Sequence, residues 1–383
     1  MEIALKRWKL LAQAQLEGLE GEDPIPEVYQ YKGDVSHKCD AFVLRTEITN
    51  DLVRQIQNPR GCSGILLYGR RRLGKTTVIR NLEAFVPEGV KCTYISMQNA
   101  EAFTSLDSLL ALIIRTISKV IDGVDYPSEE LSLRDFQTTL AQINQKLAGE
   151  GKRLIIAVDE IEILDDKFQQ GLFSTDVLAV IREGIHSYPE VVWLFVSSHL
   201  MAELSHRAWN RYFIELHTTR VSPFHRDETH KLLCEPLASK EPSARGGWLK
   251  VEPARWGGEV GIDRIHRESG GWPSIIQLIA QVVARMLKEN GHDHADETLL
   301  DQALEKSVEQ GNNLFEGVMY RERSSDEEWH YLRQFARETE LDPSPVPGVM
   351  DSLWRRELID RGTRGYILRV PIVSRWLRMW YPS

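Results

Sequence analysis

Residues 64–80 read GILLYGRRRLGKTTVIR, and this stretch decides the fold. An apolar strand pattern at Gly64–Tyr68 comes directly before the pattern GxxxxGK[ST] at Gly69–Thr76, and a helical pattern follows. Glycines let a phosphate chain approach the backbone closely, and amide groups at a helix N-terminus bind negative charge. The stretch therefore predicts a P-loop that holds the phosphates of a nucleotide.

Each type of residue in this loop has a predicted task. Lys75 supplies a mobile cation for the phosphates and is counted as catalytic, and Thr76 supplies a hydroxyl ligand for Mg²⁺. The candidate nucleotide-binding residues of the loop are Gly69, Arg70, Arg71, Arg72, Leu73, Gly74, Lys75, Thr76 and Thr77.

A second apolar strand, Arg153–Asp159, ends in the two carboxylates Asp159 and Glu160. Asp159 is predicted to hold hydrated Mg²⁺ together with Thr76, and Glu160 to orient or deprotonate the attacking water. Apolar strands often end in acids, but this one follows a P-loop with one strand between them, which makes the assignment specific. The nearby pair Asp165 and Asp166 is interpreted as a helix start or a solvated face.

A third apolar strand, Val191–Ser197, is followed by polar residues. We expect this strand to lie between the other two in the sheet, so that a side chain at its end senses the γ-phosphate. Ser198 is the candidate for this catalytic sensor, with Ser197 and His199 as alternatives.

Apolar runs alternate with helical patterns from residue 34 to residue 222, which predicts βαβ units on a sheet. The predicted strands are Gly64–Tyr68, Cys92–Met97, Arg153–Asp159, Val191–Ser197 and Phe213–His217. The fold class is α/β, a P-loop NTPase core with a mainly parallel five-stranded sheet. An N-terminal amphipathic helix and linker (1–33) precede this core (34–222), and a helical lid (223–320) and a winged-helix segment (321–383) follow it.

Composition narrows the class of protein. The 383 residues carry a formal net charge of -9, which argues against broad coating of nucleic acid. The four cysteines are scattered without a CxxC pair, so a reduced, cytoplasmic location is expected. No apolar stretch reaches the ~18 residues of a membrane span, and we expect no membrane association.

Four segments together resemble the STAND-type P-loop ATPases, relatives of the AAA+ and origin-recognition ATPases. They are LLYGRRRLGKTTVIRNL (66–82), IIAVDEIEIL (155–164), FVSSHLMAELS (195–205) and GGWP (270–273). The last segment is similar to the family's GxP lid motif at Gly271 and Pro273. The resemblance extends from about Phe42 to the C-terminus, where the chain looks like the winged helix of many family members.

The resemblance implies the ligands and the activity. ATP with Mg²⁺ is the expected cofactor pair, Pro273 is expected to contact the nucleotide, and hydrolysis is expected to drive a molecular switch. A protein effector is the expected partner, and homo-oligomerisation is left open. Many members carry an arginine where this chain has His199, so we expect hydrolysis that is slow or stimulated by a partner. Many also have an aromatic-Gly-Arg start that helps to hold adenine, where this chain has Phe42, Val43, Leu44 and Arg45.

A DNA-handling AAA+-like ATPase is the rival hypothesis, in which the winged helix contacts the duplex. Residues 321–383 contain 11 arginines and 10 acids, so their charge is nearly balanced, which favours protein contacts over DNA. A third class, a protein that binds nucleotide without hydrolysing it, is disfavoured because Lys75, Thr76, Asp159 and Glu160 are all present.

Overall fold

The structure is a computed structural model that describes most of the chain. The described residues are 25, 28–37, 41–58, 61–125, 130–199, 204, 206–213, 215–236, 251–319 and 324–382. The predicted N-terminal amphipathic helix lies outside them. Contacts divide the described residues into a sheet unit, Leu44–Ser222, and a helical unit made of the residues before Leu44 and those from Pro223 onward. The predicted domain boundaries, including the start of the core at residue 34, stay predictions.

Strands and helices alternate along the sheet unit. Its strands are β1 (Ile65–Tyr68), β2 (Val90–Ser96), β3 (Arg153–Asp159), β4 (Val191–Ser197) and β5 (His217–Arg220). Its helices are α1 (Thr46–Ile56), α2 (Lys75–Asn81), α3 (Glu101–Thr104), α4 (Leu106–Ser118), α5 (Leu133–Glu150), α6 (Ile161–Gln169), α7 (Asp176–Ser187) and α8 (Ala208–Phe213).

The five strands form one sheet in the order β2-β3-β4-β1-β5, and each neighbouring pair is parallel. This confirms the predicted P-loop sheet, with β4 between β1 and β3. All residues of β4 are buried, and in β3 only Arg153 is partly exposed. Helices cover both faces of such a sheet, which explains why these strands are continuous apolar runs rather than alternating ones.

The prediction of the last strand was wrong. Phe213, its predicted first residue, ends helix α8, and its ring packs against Phe195 with centroids 5.1 Å apart. The actual strand, β5, has the sequence HTTR at the edge of the sheet, where only Thr219 is buried. The apolar pattern that suggested a strand belongs to a helix that contributes to the core.

A partly exposed carboxylate joins helix α1 to this edge strand. Asp51 Oδ2 accepts a hydrogen bond from Thr219 Oγ1 at 2.6 Å and lies 2.9 Å from His217 Nε2. Burial by itself would raise the pKa of Asp51, but the hydrogen bonds from Thr219 and His217 outweigh it and lower the pKa to about 2. The ionised carboxylate therefore stabilises the fold.

Among the described residues, the helical unit contains seven α-helices and two strands before its C-terminal helix. They are α9 (Arg226–Cys234), α10 (Gly258–Ser269), α11 (Pro273–Asn290), α12 (Glu297–Gln310), α13 (Asn312–Met319), α14 (Asp326–Gln334), α15 (Val349–Arg355), β6 (Ile359–Arg361) and β7 (Tyr366–Leu368). The C-terminal helix is α16 (Ile372–Trp380), and β6 and β7 form an antiparallel hairpin. None of the described helices is long and apolar enough to span a membrane.

Residues that precede the sheet unit pack onto the helical unit. The hydroxyl of Tyr29 donates to the carbonyl of Leu233 at 2.9 Å, and its ring meets Trp256 edge-on at 5.7 Å. The amide of Gln30 donates to Gln277 Oε1 at 2.7 Å. These contacts explain why Tyr29 and Gln30 group with the helical unit.

The GGWP segment forms a tight turn between α10 and α11. Gly270 and Gly271 have φ values of +57° and +73°, the left-handed region that favours glycine. The amide of Phe224 donates to the carbonyl of Gly271 at 2.7 Å, and Pro273 occupies the start of α11. Glycine thus ends one helix and proline begins the next, at the positions where these residues are common.

We predict that Asp51→Asn lowers the free energy of unfolding at pH 7 by about 1 to 2 kcal/mol, because it removes a charged hydrogen-bond acceptor. Urea denaturation measures the change. Because the pKa of Asp51 is lowered by folding, its contribution is present above pH 4 and is lost as the pH falls toward about 2. The difference between the variant and the natural chain should therefore shrink in acid. Asp166→Asn, at an exposed carboxylate, is the matched control.

Candidate nucleotide-binding site

The loop Gly69–Thr77 connects β1 to α2, as the sequence predicts. A Cβ atom on Gly69 would lie 2.6 Å from the carbonyl oxygen of Val221, so only glycine fits at this position. Gly74 precedes α2 with a φ of +89°, and the amide of Val78 donates back to its carbonyl at 3.0 Å. The first turn of α2 thus starts at the end of the loop, where helix amides are available to an anion.

Lys75 is buried at the centre of the loop. Its Nζ donates to the carbonyls of Gly69 at 2.6 Å and Arg70 at 3.1 Å, and lies 3.3 Å from Ser198 Oγ. The structure therefore brings together the predicted phosphate-binding amine and the predicted sensor. This contact is possible because β1 and β4 are parallel neighbours, so that their carboxyl ends meet at one edge of the sheet.

Burial lowers the pKa of Lys75 to about 8, even though the carboxylates of Glu162 and Asp159 act in the opposite direction. Desolvation is the larger effect because the amine is enclosed by the loop. An anionic ligand at this position would favour the charged ammonium. The amine is thus placed where a phosphate group would relieve an electrostatic penalty.

The predicted metal-binding residues are also adjacent. Thr76 Oγ1 donates to Asp159 Oδ2 at 2.9 Å, and the amide of Glu160 donates to Asp159 Oδ1 at 2.9 Å. Burial raises the pKa of Asp159, while the hydrogen bond from Thr76 and the charge of Lys75 oppose that rise. A divalent cation would favour the ionised form of this carboxylate.

The chemistry of these donors fits Mg²⁺. A hydroxyl and a carboxylate are hard oxygen ligands, and Mg²⁺ in such sites keeps waters and phosphate oxygens as its other ligands. Among the described residues, no group of three His, Cys, Asp or Glu side chains is arranged to hold a metal by itself. A cation between Thr76 and Asp159 would therefore bind together with a phosphate ligand.

Glu160 has a backbone conformation that is unusual for this residue type. Its φ is +62°, in the left-handed region, and such strain often lies at functional positions. Its carboxylate accepts hydrogen bonds from Gln98 Nε2 at 2.6 Å and from Ser96 Oγ at 3.3 Å. Burial and the neighbouring carboxylate of Asp159 raise its pKa, which suits a group that accepts a proton.

The three candidates at the end of β4 have different environments. Ser197 Oγ donates to Glu162 Oε2 at 3.2 Å and accepts the amide of His199 at 2.9 Å. Ser198, by contrast, contacts Lys75. Of the three, Ser198 is therefore the residue that the structure joins to the predicted phosphate-binding group.

Several residues at the site were missed by sequence reasoning or given another task. Glu162 is buried next to Ser197, although its place on α6 resembles an ordinary helical acid. The predicted contact of Arg70 with the nucleotide stays a prediction; its buried guanidinium donates to the carbonyl of Ser198 at 3.2 Å and lies over the ring of Tyr68. This geometry indicates that the Arg70 side chain stabilises the loop and the segment that carries Ser198.

The interpretation of Asp165 as a helix start or solvated residue was wrong. Its Oδ1 is buried and accepts hydrogen bonds from Trp209 Nε1 at 2.8 Å and from the amide of His206 at 2.9 Å. Asp166 is exposed, as expected. Asp165 faces inward because the turn of α6 directs it toward α8, which the acid pair alone does not reveal.

Pro273 belongs to the helical unit, where it begins α11. Its predicted contact with the nucleotide stays a prediction. Arg71, Arg72 and Thr77 lie on the loop or the first turn of α2, with Arg72 in a left-handed conformation at a φ of +67°. Leu73 is buried and anchors the loop to the core.

We predict that Gly69→Ala weakens nucleotide binding and lowers the free energy of unfolding by about 1 to 3 kcal/mol, because the new methyl group displaces the backbone at Val221. Fluorescent-nucleotide titration and urea denaturation measure the two effects. Gly149→Ala is the control, since a Cβ there meets open space on helix α5 and should leave both properties unchanged or slightly improve stability. Equal behaviour of the two variants would contradict the proposed close approach.

Comparisons with known proteins agree with this geometry. Residues 56–184 match the family model described as the AAA domain. No curated protein matches the chain. Among solved structures, a Walker-type ATPase of Pyrococcus abyssi is similar with a TM-score of 0.60 and 17% identity, over 88% of this chain and 96% of that chain.

The ORC2 protein of Aeropyrum pernix, solved as ADPNP–ADP complexes, is also similar. Its TM-score is 0.52 at 17% identity, over 89% of this chain and 96% of that chain. At this level of identity the likeness establishes the fold alone. Residues 56–184 are therefore similar to the AAA domain, within a P-loop fold shared with these proteins.

Proposed function

We propose that the protein binds ATP with Mg²⁺ and hydrolyses it as a molecular switch. The observation that carries this proposal is the convergence of two contacts at one edge of the sheet. Lys75 meets Ser198, and Thr76 meets Asp159. A phosphate-binding amine, a sensor hydroxyl and an oxygen pair for a cation are the parts that phosphoanhydride hydrolysis requires.

Each side chain then has a definite task in hydrolysis. Lys75 binds the terminal phosphates, and Thr76 and Asp159 would hold Mg²⁺, which when bound neutralises developing charge on the phosphate oxygens. Glu160 accepts the proton of the attacking water, and its raised pKa keeps its basicity useful near neutral pH. Ser198 detects the γ-phosphate through its position beside Lys75.

The choice of ATP rests on family likeness rather than on a base-specific contact. The match to the AAA domain model and the nucleotide complexes of the ORC2 protein support adenine nucleotides. The residues described above would contact only the phosphates and a cation, which complexes of ATP and GTP share. Competition between the two nucleotides is therefore the direct measurement of base preference.

We assign the switch to the STAND class, with a helical lid at 223–320 and a winged helix at 321–383. The order α14, α15, β6, β7 and α16 supports the winged helix, since it is helix, helix, hairpin and helix. Arg375 on α16 pairs with Asp301 at 3.0 Å and Glu305 at 2.6 Å on α12. These ion pairs would make the two segments move together when the nucleotide changes.

The rival function is a DNA-handling ATPase. It would use the same nucleotide site, but its hydrolysis would act on DNA rather than on a protein partner. Its supporting observation is the hairpin after α15, because winged helices commonly present such elements to DNA. Against it, Arg356, Arg369 and Arg375 of this segment are all engaged in internal ion pairs. Fewer arginines are thus available to phosphates than the sequence count suggests, which favours a protein partner.

We predict that Lys75→Ala abolishes nucleotide binding, because the phosphates lose their buried cation, whereas Glu160→Gln preserves binding and lowers turnover at least about 100-fold. Equilibrium binding of a fluorescent ATP analogue and phosphate release measure the two properties. Lys119→Ala, at an exposed lysine, is the control for charge removal. Unchanged hydrolysis in either site variant would contradict the assignment.

We predict that ATP binding changes the assembly state or hydrodynamic radius of the protein without DNA. Size-exclusion chromatography with ADP and with a non-hydrolysable ATP analogue, each with and without duplex DNA, measures this change. Salt-dependent affinity for duplex DNA near neutral pH, with no nucleotide-dependent change in its absence, would favour the rival function instead.

A further inference from the structure

The edge strand β2 presents a row of polar groups to the two acids at the end of β3. Tyr94 and Ser96 are two positions apart, so they lie on the same face of the strand. The hydroxyl of Tyr94 donates to Asp159 Oδ2 at 3.1 Å, and Ser96 Oγ donates to Glu160. The edge strand thus contacts both acids at once, although no sequence motif singled it out.

A second contact holds the ring of Tyr94. The guanidinium of Arg80 lies over the Tyr94 ring, with Cζ 4.6 Å from its centroid. The hydroxyl donates to Asp159 Oδ2, because an ionised carboxylate can only accept a hydrogen bond. The tyrosine is therefore held as a donor to the carboxylate.

Arg80 and Thr76 are four residues apart on helix α2, and so they share one face of that helix. Thr76 donates to the same oxygen, Asp159 Oδ2, that accepts from Tyr94. The contacts form a closed ring from Thr76 to Asp159, to Tyr94, to Arg80 and back along the helix. This ring joins the loop helix, β3 and the edge strand.

We propose that Tyr94 is a positioning residue that orients the Asp159 carboxylate toward Mg²⁺ bound with the nucleotide. The inference rests on the proposed function, because it concerns the same cation. Asp159 Oδ2 accepts hydrogen bonds from two side chains, and Oδ1 accepts one from the amide of Glu160. Hydrogen bonds to both oxygens therefore fix the orientation of the carboxylate. Without the Tyr94 hydroxyl, one of these constraints is lost.

The expected size of the effect follows from general experience with such supporting groups. Partners that orient a metal-binding side chain change metal affinity by about 10- to 100-fold when they are removed. Thr76 and the Glu160 amide still hold Asp159 after the loss of Tyr94. We therefore expect the lower end of that range, about tenfold.

Tyr94→Phe is the test, because it keeps the ring beneath Arg80 and removes only the hydroxyl. Binding of a fluorescent ATP analogue is measured in EDTA and across a Mg²⁺ titration, and Mn²⁺ binding is followed by electron paramagnetic resonance in the presence of ADP. The expected result is unchanged nucleotide affinity in EDTA and an increase of about tenfold in the half-saturating cation concentration in both assays.

Tyr212→Phe is the matched control. Tyr212 also lies beneath an arginine, with Arg211 Cζ 5.5 Å from its ring centroid, but it packs against the hydrophobic core from α8. This variant should leave the cation dependence unchanged. If Tyr94→Phe needs no more Mg²⁺ than the natural chain, or less, the inference about Tyr94 is wrong.

The Mg²⁺ dependence of the natural chain distinguishes a failure of the proposed function from a failure of this inference. If the natural chain itself shows no Mg²⁺-dependent nucleotide binding, the proposed function fails and the Tyr94 inference fails with it. If the natural chain shows that dependence and Tyr94→Phe retains it unchanged, only the inference fails. Weaker nucleotide binding in EDTA would also overturn it, since the effect would then not act through the cation.

Discussion

The hydrogen bond from Thr76 to Asp159 is the interaction on which the rest of the site depends. It connects the start of α2, the helix that follows β1, with the end of β3, and β4 lies between β1 and β3 in the sheet. The contact exists because all five strands are parallel, so that their carboxyl ends and the loops after them meet at one edge. Lys75 and Ser198 meet at the same edge for the same reason.

Burial of charge distinguishes this edge from an ordinary end of a sheet. Lys75, Arg70, Asp159 and Glu162 are all buried within it. Burying charges costs free energy unless each one is compensated, and even a well-paired buried ion pair contributes little to stability. Selection for stability alone does not explain such a cluster. The nucleotide and the cation of the proposed function would compensate these buried groups.

Much of the sheet unit could be predicted from the chain alone, and the exceptions have physical causes. Continuous apolar runs identified β1, β3 and β4, because strands covered on both faces need such runs. The edge strand β5 was misplaced because it is polar and held by Asp51 rather than by apolar packing. Asp165 was misread because its burial depends on α8, a helix distant in sequence.

The sequence by itself determined the local chemistry: a glycine-containing loop, its lysine and threonine, and two acids after an apolar strand. These features depend on the spacing of residues along the chain, which the amino-acid sequence gives directly. Only the tertiary structure decided which side chains meet across strands, namely Ser198 with Lys75 and Tyr94 with Asp159. Strand order and register set those contacts, and they arise from packing between residues far apart in the chain.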